Sequence, residues 1–284
     1  MGQAINFGDL PEEYSSADNS SIVVVPVPYD RTSTWLKGTD KGPMAIIEAS
    51  SHMELYDIET DSEVFQKGIY TDEAINGKLP PEEMVRAVRE HVRRYIEDDK
   101  FVVVVGGEHS VSIGSAEAHI KNNPDITVLQ LDAHCDLRNE YEGTKYNHAC
   151  VMARVAEICP IVQVGIRSMD SSELQALDKS RVFFAKDIVR DKDWIQKVIS
   201  KLSDRVYLTI DLDVFDPSIM PSTGTPEPGG LLWYDVLELL RAVCKNKDVV
   251  GFDVVELCPY EKNKAPDFLA AKLIYKLLSY KFEN

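Results

Sequence analysis

The sequence predicts an α/β fold, a mostly parallel sheet of about eight strands covered by helices on both faces. Three observations predict it. Short runs rich in Val, Ile and Leu recur along the chain, helical patterns alternate with them, and ligand-type side chains stand just past the ends of three of the runs. Strands that lack polar alternation are buried on both faces, as in a parallel sheet between helical layers. In chain order the strands are expected at residues 22–27, 101–105, 126–131, 161–166, 206–210 and 249–255, with weaker candidates near 68–71 and 181–185. Helices are expected over Pro81–Asp98, Ser110–Lys121, Asp191–Ser203, Leu231–Lys245 and Lys264–Tyr280. Periodicity alone does not separate an open three-layer sheet from a closed eight-stranded barrel. Either architecture places an active site at the carboxyl ends of the strands.

Bulk properties narrow the function. With 284 residues, 44% of them hydrophobic, and no Ser/Gly/Pro linker, repeat or low-complexity tract, one domain over residues 1–284 is expected. The formal charge of −16 disfavours nucleic acid, because neutralising phosphates needs a basic face, and it suits a cationic ligand. Residues 1–20 are polar and lack the apolar core of a secretory signal, and no apolar run has the length of a membrane helix. Five cysteines without a CxxC pair predict free thiols in a reducing cytoplasm.

The chemistry concentrates at strand ends. The run 126–131 leads into Asp132-Ala133-His134-Cys135-Asp136, where an extended chain would place Asp132, His134 and Asp136 on one face. The run 206–210 leads into Asp211-Leu212-Asp213, and 101–105 into Gly106-Gly107-Glu108-His109. Six candidate ligands, His109, Asp132, His134, Asp136, Asp211 and Asp213, thus follow three separate strands. Buried unpaired carboxylates are costly, so a metal centre is the better account of this grouping. Oxygen-rich ligation with two imidazoles suits Mn²⁺ rather than a thiolate-rich zinc site. Cys135 is expected to point away from the ligands as a buried thiol, and His91 to sit on a solvated basic helix face. Gly106-Gly107 lacks the Lys-Ser/Thr of a phosphate loop and is expected to let the backbone approach the metal site.

These motifs resemble those of the ureohydrolases, the family of arginase and agmatinase. The matching segments are Gly106-Gly107-Glu108-His109-Ser110, Asp132-Ala133-His134-Cys135-Asp136, Asp211-Leu212-Asp213-Val214-Phe215-Asp216-Pro217, Ser222-Thr223-Gly224-Thr225-Pro226 and Asp253-Val254-Val255-Glu256. The resemblance implies an open three-layer αβα sandwich, two Mn²⁺ ions per chain, and hydrolysis of a guanidino group to urea and an amine through a bridging metal hydroxide. It implies one ion on His109, Asp132, Asp136 and Asp211 and a second on Asp132, His134, Asp211 and Asp213. Glu256 would hold the guanidinium, Asp136 would orient the hydroxide and pass a proton on, and His148 of Asn147-His148-Ala149-Cys150 would relay a proton. A homo-oligomer, trimer or hexamer, is also implied.

Within the family the sequence looks most like bacterial agmatinases. Arg138 stands where arginases carry an Asn after Asp-x, and Ala149-Cys150 replaces the Gly-Pro that tends to follow the relay histidine in arginases. Agmatine, a small cationic guanidino compound, is therefore the expected substrate, with Glu140, Glu142 and Asp170 as candidates to meet its distal ammonium. Arg138 would then point away or pair with Glu140 or Glu142. Arginase, guanidinobutyrase and formiminoglutamase activities are the alternatives within the family. Outside it stand a two-metal phosphoesterase, for which no cationic cluster is evident, and a non-catalytic polyamine-binding protein.

Overall fold

The Val/Ile/Leu runs form one open sheet in which every pairing is parallel. The computed structural model describes residues 6–283; the first five residues of the polar N-terminal stretch and the last residue of the expected 1–284 domain lie outside the described residues. The strands are β1 (Ile22–Val27), β2 (Ile69–Thr71), β3 (Phe101–Gly106), β4 (Ile126–Leu131), β5 (Ile161–Ile166), β6 (Val182–Phe184), β7 (Arg205–Asp211) and β8 (Asp248–Val255). The helices are α1 (Glu12–Ser15), α2 (Gly42–Ser50), α3 (Pro81–Glu97), α4 (Val111–Asn122), α5 (Val151–Ala156), α6 (Ala185–Ile188), α7 (Trp194–Ile199), α8 (Trp233–Asn246) and α9 (Ala265–Lys281).

The strand order is β2-β1-β3-β8-β7-β4-β5-β6. The two edges, β2 and β6, are three residues each and do not pair, so the sheet is open rather than a barrel. Alternation along each strand feeds two cores. In β1, Ile22 and Val24 join α2, α7, α8 and α9 on one face, while Val23, Val25 and Val27 join α3, α4 and α5 on the other. Each fully buried Val or Ile contributes roughly 1.5–3 kcal/mol, which is why these runs carry almost no polar residues.

Helix α3 shows how pattern becomes packing. Met84, Val85, Val88 and Val92 fall on one face and are buried against the sheet side. The opposite face carries arginines that pair with Glu90, Glu97 and Glu117. His91 is not merely solvated, since its Nε2 lies 2.5 Å from Asp72 Oδ2. Gly114 lets α4 approach α3 closely, because a Cβ there would lie 2.3 Å from the Val85 carbonyl oxygen.

Helix α7 is shorter than the expected 191–203. The Asp191 carboxylate accepts the Asp193 N–H at 3.1 Å and binds Lys197 Nζ, forming a turn that delays the helix start. Helix α2 lay in a segment with no helix expected, although Pro43 in its first turn favours a helix start. Among the described residues no helix is long and apolar enough to cross a membrane.

Topology sets the position of the site. After β3 the chain passes over two places to β4, continues outward to β5 and β6, and returns to fill the gap with β7 and β8. The four central strands β3, β8, β7 and β4 therefore end side by side, at the crevice where doubly wound sheets bind ligands.

Candidate metal centre and active-site cleft

Each of those four strands delivers a candidate residue at its carboxyl end: His109 after β3, Glu256 after β8, Asp211 at the end of β7 and Asp132 after β4. The extended alternation expected beyond β4 reaches only to His134. Asp136 has φ of 52°, a left-handed conformation, so it returns to the ligand side by a backbone turn and not by strand periodicity. Beyond β7 the chain also leaves the extended state, because Asp211 caps a short 3₁₀ turn by accepting the Asp213 N–H at 2.9 Å. Asp213 reaches across to β4, with Oδ1 accepting the Ala133 N–H and Oδ2 lying 2.9 Å from His134 Nδ1.

The six predicted ligands come together in two overlapping groups. His109, Asp132 and Asp211 form one, Asp132, His134 and Asp213 the other, each with its ligand atoms within 4.8 Å of one another. Asp132 belongs to both. Asp136 adds to the first group, its Oδ2 lying 2.9 Å from His109 Nδ1.

Hydrogen-bond bookkeeping at His109 tests whether these residues fit a cation. Thr209 gives its one hydroxyl proton to Asp253 Oδ1 at 2.7 Å, so it meets His109 Nε2, 2.9 Å away, as an acceptor. Nδ1 then turns its lone pair toward Asp136, Asp132 and Asp211 at 2.9, 3.2 and 3.5 Å and has no hydrogen-bond partner. A buried lone pair facing three carboxylates fits a site built around positive charge. The titration of the bare cluster agrees. Burial opposes protonation of His109, yet the Asp132 and Asp136 carboxylates beside it raise it well above the usual imidazole range. Asp136 is pushed up to about 7 by burial and by Asp132, and Asp211 is raised well above the carboxylate range by burial and then by Asp213 and Asp132. Carboxylates that take up protons when alone are those that hard divalent ions neutralise.

A row of polar side chains beneath the centre was not singled out in the sequence. Gln163 of β5, Gln130 of β4, Thr209 of β7 and Asp253 of β8 are register partners across four strands. Gln130 Nε2 donates to Asp132 Oδ2 at 2.7 Å, while Asp253 accepts from Ser112, Tyr207 and Thr209. A signal existed: Gln130 and Thr209 are polar residues within apolar runs, each two positions before an aspartate and hence on its face. The close approach allowed by Gly107 is to a neighbouring connection and not to the metal site as expected, since a Cβ there would lie 2.1 Å from the Tyr29 carbonyl oxygen.

Above the ligands lies a cavity of about 280 Å³ whose lining includes His134, Asp136, His148, Asp170 and Glu256. Glu256 has φ of 68°, and its Oε1 accepts the His109 N–H at 2.7 Å. Its other oxygen lies near Gly224 on the cavity wall. Burial, then the charge of Glu108, pushes Glu256 up to about 8. His148 begins a 3₁₀ turn capped by Asn147, and burial followed by His109 and His134 holds its ring down at about 4.

The distal candidates divide. Asp170 lines the cavity, whereas Glu140 and Glu142 are exposed and lie outside its lining. Paired backbone hydrogen bonds between Tyr141 and Thr144 close this loop into a tight turn that leaves both glutamates in solvent. Arg138 pairs with neither of them. Its guanidinium lies 4.4 Å from the centroid of the Tyr141 ring and 3.9 Å from Asp170 Oδ2. Cys135 is buried among core side chains, its Sγ 3.9 Å from Met169 Sδ, and burial raises the thiol strongly. All five cysteines are free.

A model of the arginase family matches residues 20–279. The N(1)-aminopropylagmatine ureohydrolase of Synechocystis sp. is 39% identical over 95% of this chain and 92% of its own length. That of Thermus thermophilus is 39% identical over 97% and 94%. Among solved structures, the agmatine ureohydrolase of Thermoplasma volcanium superposes with a TM-score of 0.90 at 30% identity, covering all of this chain and 96% of that one.

Proposed function

Because the chain belongs to the arginase family, a family of binuclear metal enzymes acting on linear amidine C–N bonds, we propose that it releases urea from N(1)-aminopropylagmatine, with agmatine as the poorer substrate. The observation that carries the substrate class is the state of Arg138. It is the only lysine or arginine among the described residues lining the cavity, and its charge is engaged by Asp170 and Tyr141. A substrate carboxylate entering there must compete with Asp170 and Tyr141 for this one cation, which disfavours arginine and the anionic guanidino and formimino compounds. Agmatine lacks that carboxylate. Its aminopropyl derivative replaces the primary ammonium with a secondary one and adds a terminal ammonium three carbons further out. Trp35, 67% exposed at the cavity rim, offers an aromatic face to such a cation. The names of the relatives at 39% identity support the longer substrate over the agmatine expected from sequence.

Two Mn²⁺ ions are part of the proposal, one held by His109, Asp132, Asp136 and Asp211, the other by Asp132, His134, Asp211 and Asp213. Such ions supply Lewis acidity that lowers the pKa of water toward neutrality. The chain's own residues do the rest. The free oxygen of Glu256 holds the guanidinium by a charge-assisted hydrogen bond and fixes its carbon over the ligand cluster. Asp136, which lines the same cavity, accepts a proton from the attacking water and passes it to the open ring nitrogen of His148. As the new C–O bond forms and the bond from the guanidinium carbon to the alkyl nitrogen breaks, His148 delivers that proton to the departing amine.

Urea release at equal concentrations of N(1)-aminopropylagmatine, agmatine and arginine tests the substrate. Both amines should exceed arginine by about 100-fold or more in kcat/KM, the scale on which unpaired charges discriminate. Aminopropylagmatine should be the better of the two. Arginine turned over as fast as either amine would remove the assignment, and agmatine turned over faster than its derivative would remove the longer substrate.

A further inference from the structure

Glu108 is a fully buried carboxylate for which the proposed reaction has no use. Its Oε2 accepts the backbone N–H groups of Thr32 and Ser33 at 2.6 and 2.8 Å, and its Oε1 accepts the hydroxyls of Thr32 and Ser110, both at 2.6 Å. Two of these donors are backbone amides with no other role open to them, and the ionised carboxylate accommodates all four. Glu108 thus ties the connection after β1 to the motif after β3, and it claims the single hydroxyl proton of Thr32.

The other side of the Thr32 hydroxyl faces His148. Oγ1 accepts the His148 backbone N–H at 3.0 Å and lies 3.3 Å from the ring Nδ1. With its proton committed to Glu108, the Thr32 oxygen can meet Nδ1 only as an acceptor. That places the ring proton on Nδ1 and leaves Nε2 as the nitrogen open to exchange in the cavity that His148 lines. The edge of the Tyr141 ring, with its centroid 6.3 Å from that of the imidazole, limits the remaining freedom of the ring.

We propose that Thr32, held by Glu108, is a positioning residue that fixes both the place and the tautomer of His148. The inference rests on the reading of His148 as the proton carrier to the leaving amine. Neither residue lines the cavity, and Thr32 acts through the imidazole.

The test compares Thr32→Val, which keeps the shape and deletes the hydroxyl, with Thr32→Ser, which keeps the hydroxyl, and with His148→Ala. Thr32→Val should lower kcat by about 10–100-fold, part of what a general acid contributes, and leave KM within about twofold. Thr32→Ser should restore kcat to within about threefold of wild type. A merely structural role would instead move Tm in both variants and would not split kcat from KM. Side-chain ¹⁵N spectra of the protein loaded with a diamagnetic divalent ion should show His148 protonated at Nδ1 in wild type and Thr32→Ser, and a mixture of tautomers in Thr32→Val. If Thr32→Val keeps wild-type kcat while His148→Ala loses it, the positioning role is wrong and the proton-carrier reading stands. If His148→Ala itself keeps kcat, the proton-carrier reading falls and this inference with it. A wild-type spectrum with the proton on Nε2 overturns the inference whatever the kinetics.

Discussion

Asp132→Ala should strip divalent metal from both halves of the centre and lower kcat/KM by about 10⁴-fold or more, the scale seen when one member of a group that acts as a unit is removed. Asp132 lies in both geometric groups and, like Asp211, in both proposed ligand sets, and it is fully buried. Its Oδ2 is held by Gln130 Nε2 at 2.7 Å, and its Oδ1 accepts the His134 N–H at 2.5 Å. Deleting this carboxylate removes a shared anion and leaves the His134 N–H without the acceptor it has here. His109→Ala should weaken mainly one ion, because His109 belongs to a single group. Elemental analysis of the purified variants separates the two outcomes. Equal metal loss in both would mean that the groups are not organised around Asp132.

Glu256→Gln should cost roughly 2–3 kcal/mol of transition-state stabilisation, about 30–160-fold in kcat/KM, with metal content unchanged. The substitution keeps an oxygen for the His109 N–H but turns an amide toward the cavity where the carboxylate stood. Burial and the neighbouring charge of Glu108 push Glu256 up to about 8, against the opposing pull of His109. A guanidinium favours the ionised form, so substrate binding and ionisation of Glu256 reinforce each other. Near-wild-type kcat/KM in the variant would show that Glu256 does not contact the guanidinium.

Much of this arrangement was legible in the sequence because strands buried on both faces leave an unambiguous record. The runs 22–27, 126–131 and 161–166 coincide with β1, β4 and β5. Polar residues just beyond such runs must lie at the sheet's carboxyl edge, which gave the six candidate ligands. What periodicity could not give was the path of the chain after each strand. Asp136 and Glu256 reach the site through left-handed backbone, and Asp213 through a 3₁₀ turn, none of which follows from a period of two. Nor could it choose between an open sheet and a barrel, since that depends on whether β2 and β6 pair. The contacts of loop side chains were the least legible. Glu140, Glu142 and Asp170 are equivalent as acidic loop residues, all three exposed, and only the fold shows that Asp170 alone lines the cavity. Thr32 lies far from every motif, and its link to Glu108 and His148 exists only once β1 and β3 stand side by side.

Counting metal in the wild-type protein tests most directly whether the ends of β3, β4 and β7 assemble a two-ion centre. After loading with Mn²⁺ and removal of free ion, elemental analysis should give two ions per chain, with urea release rising as both are filled. A single ion per chain in fully active protein would contradict the account.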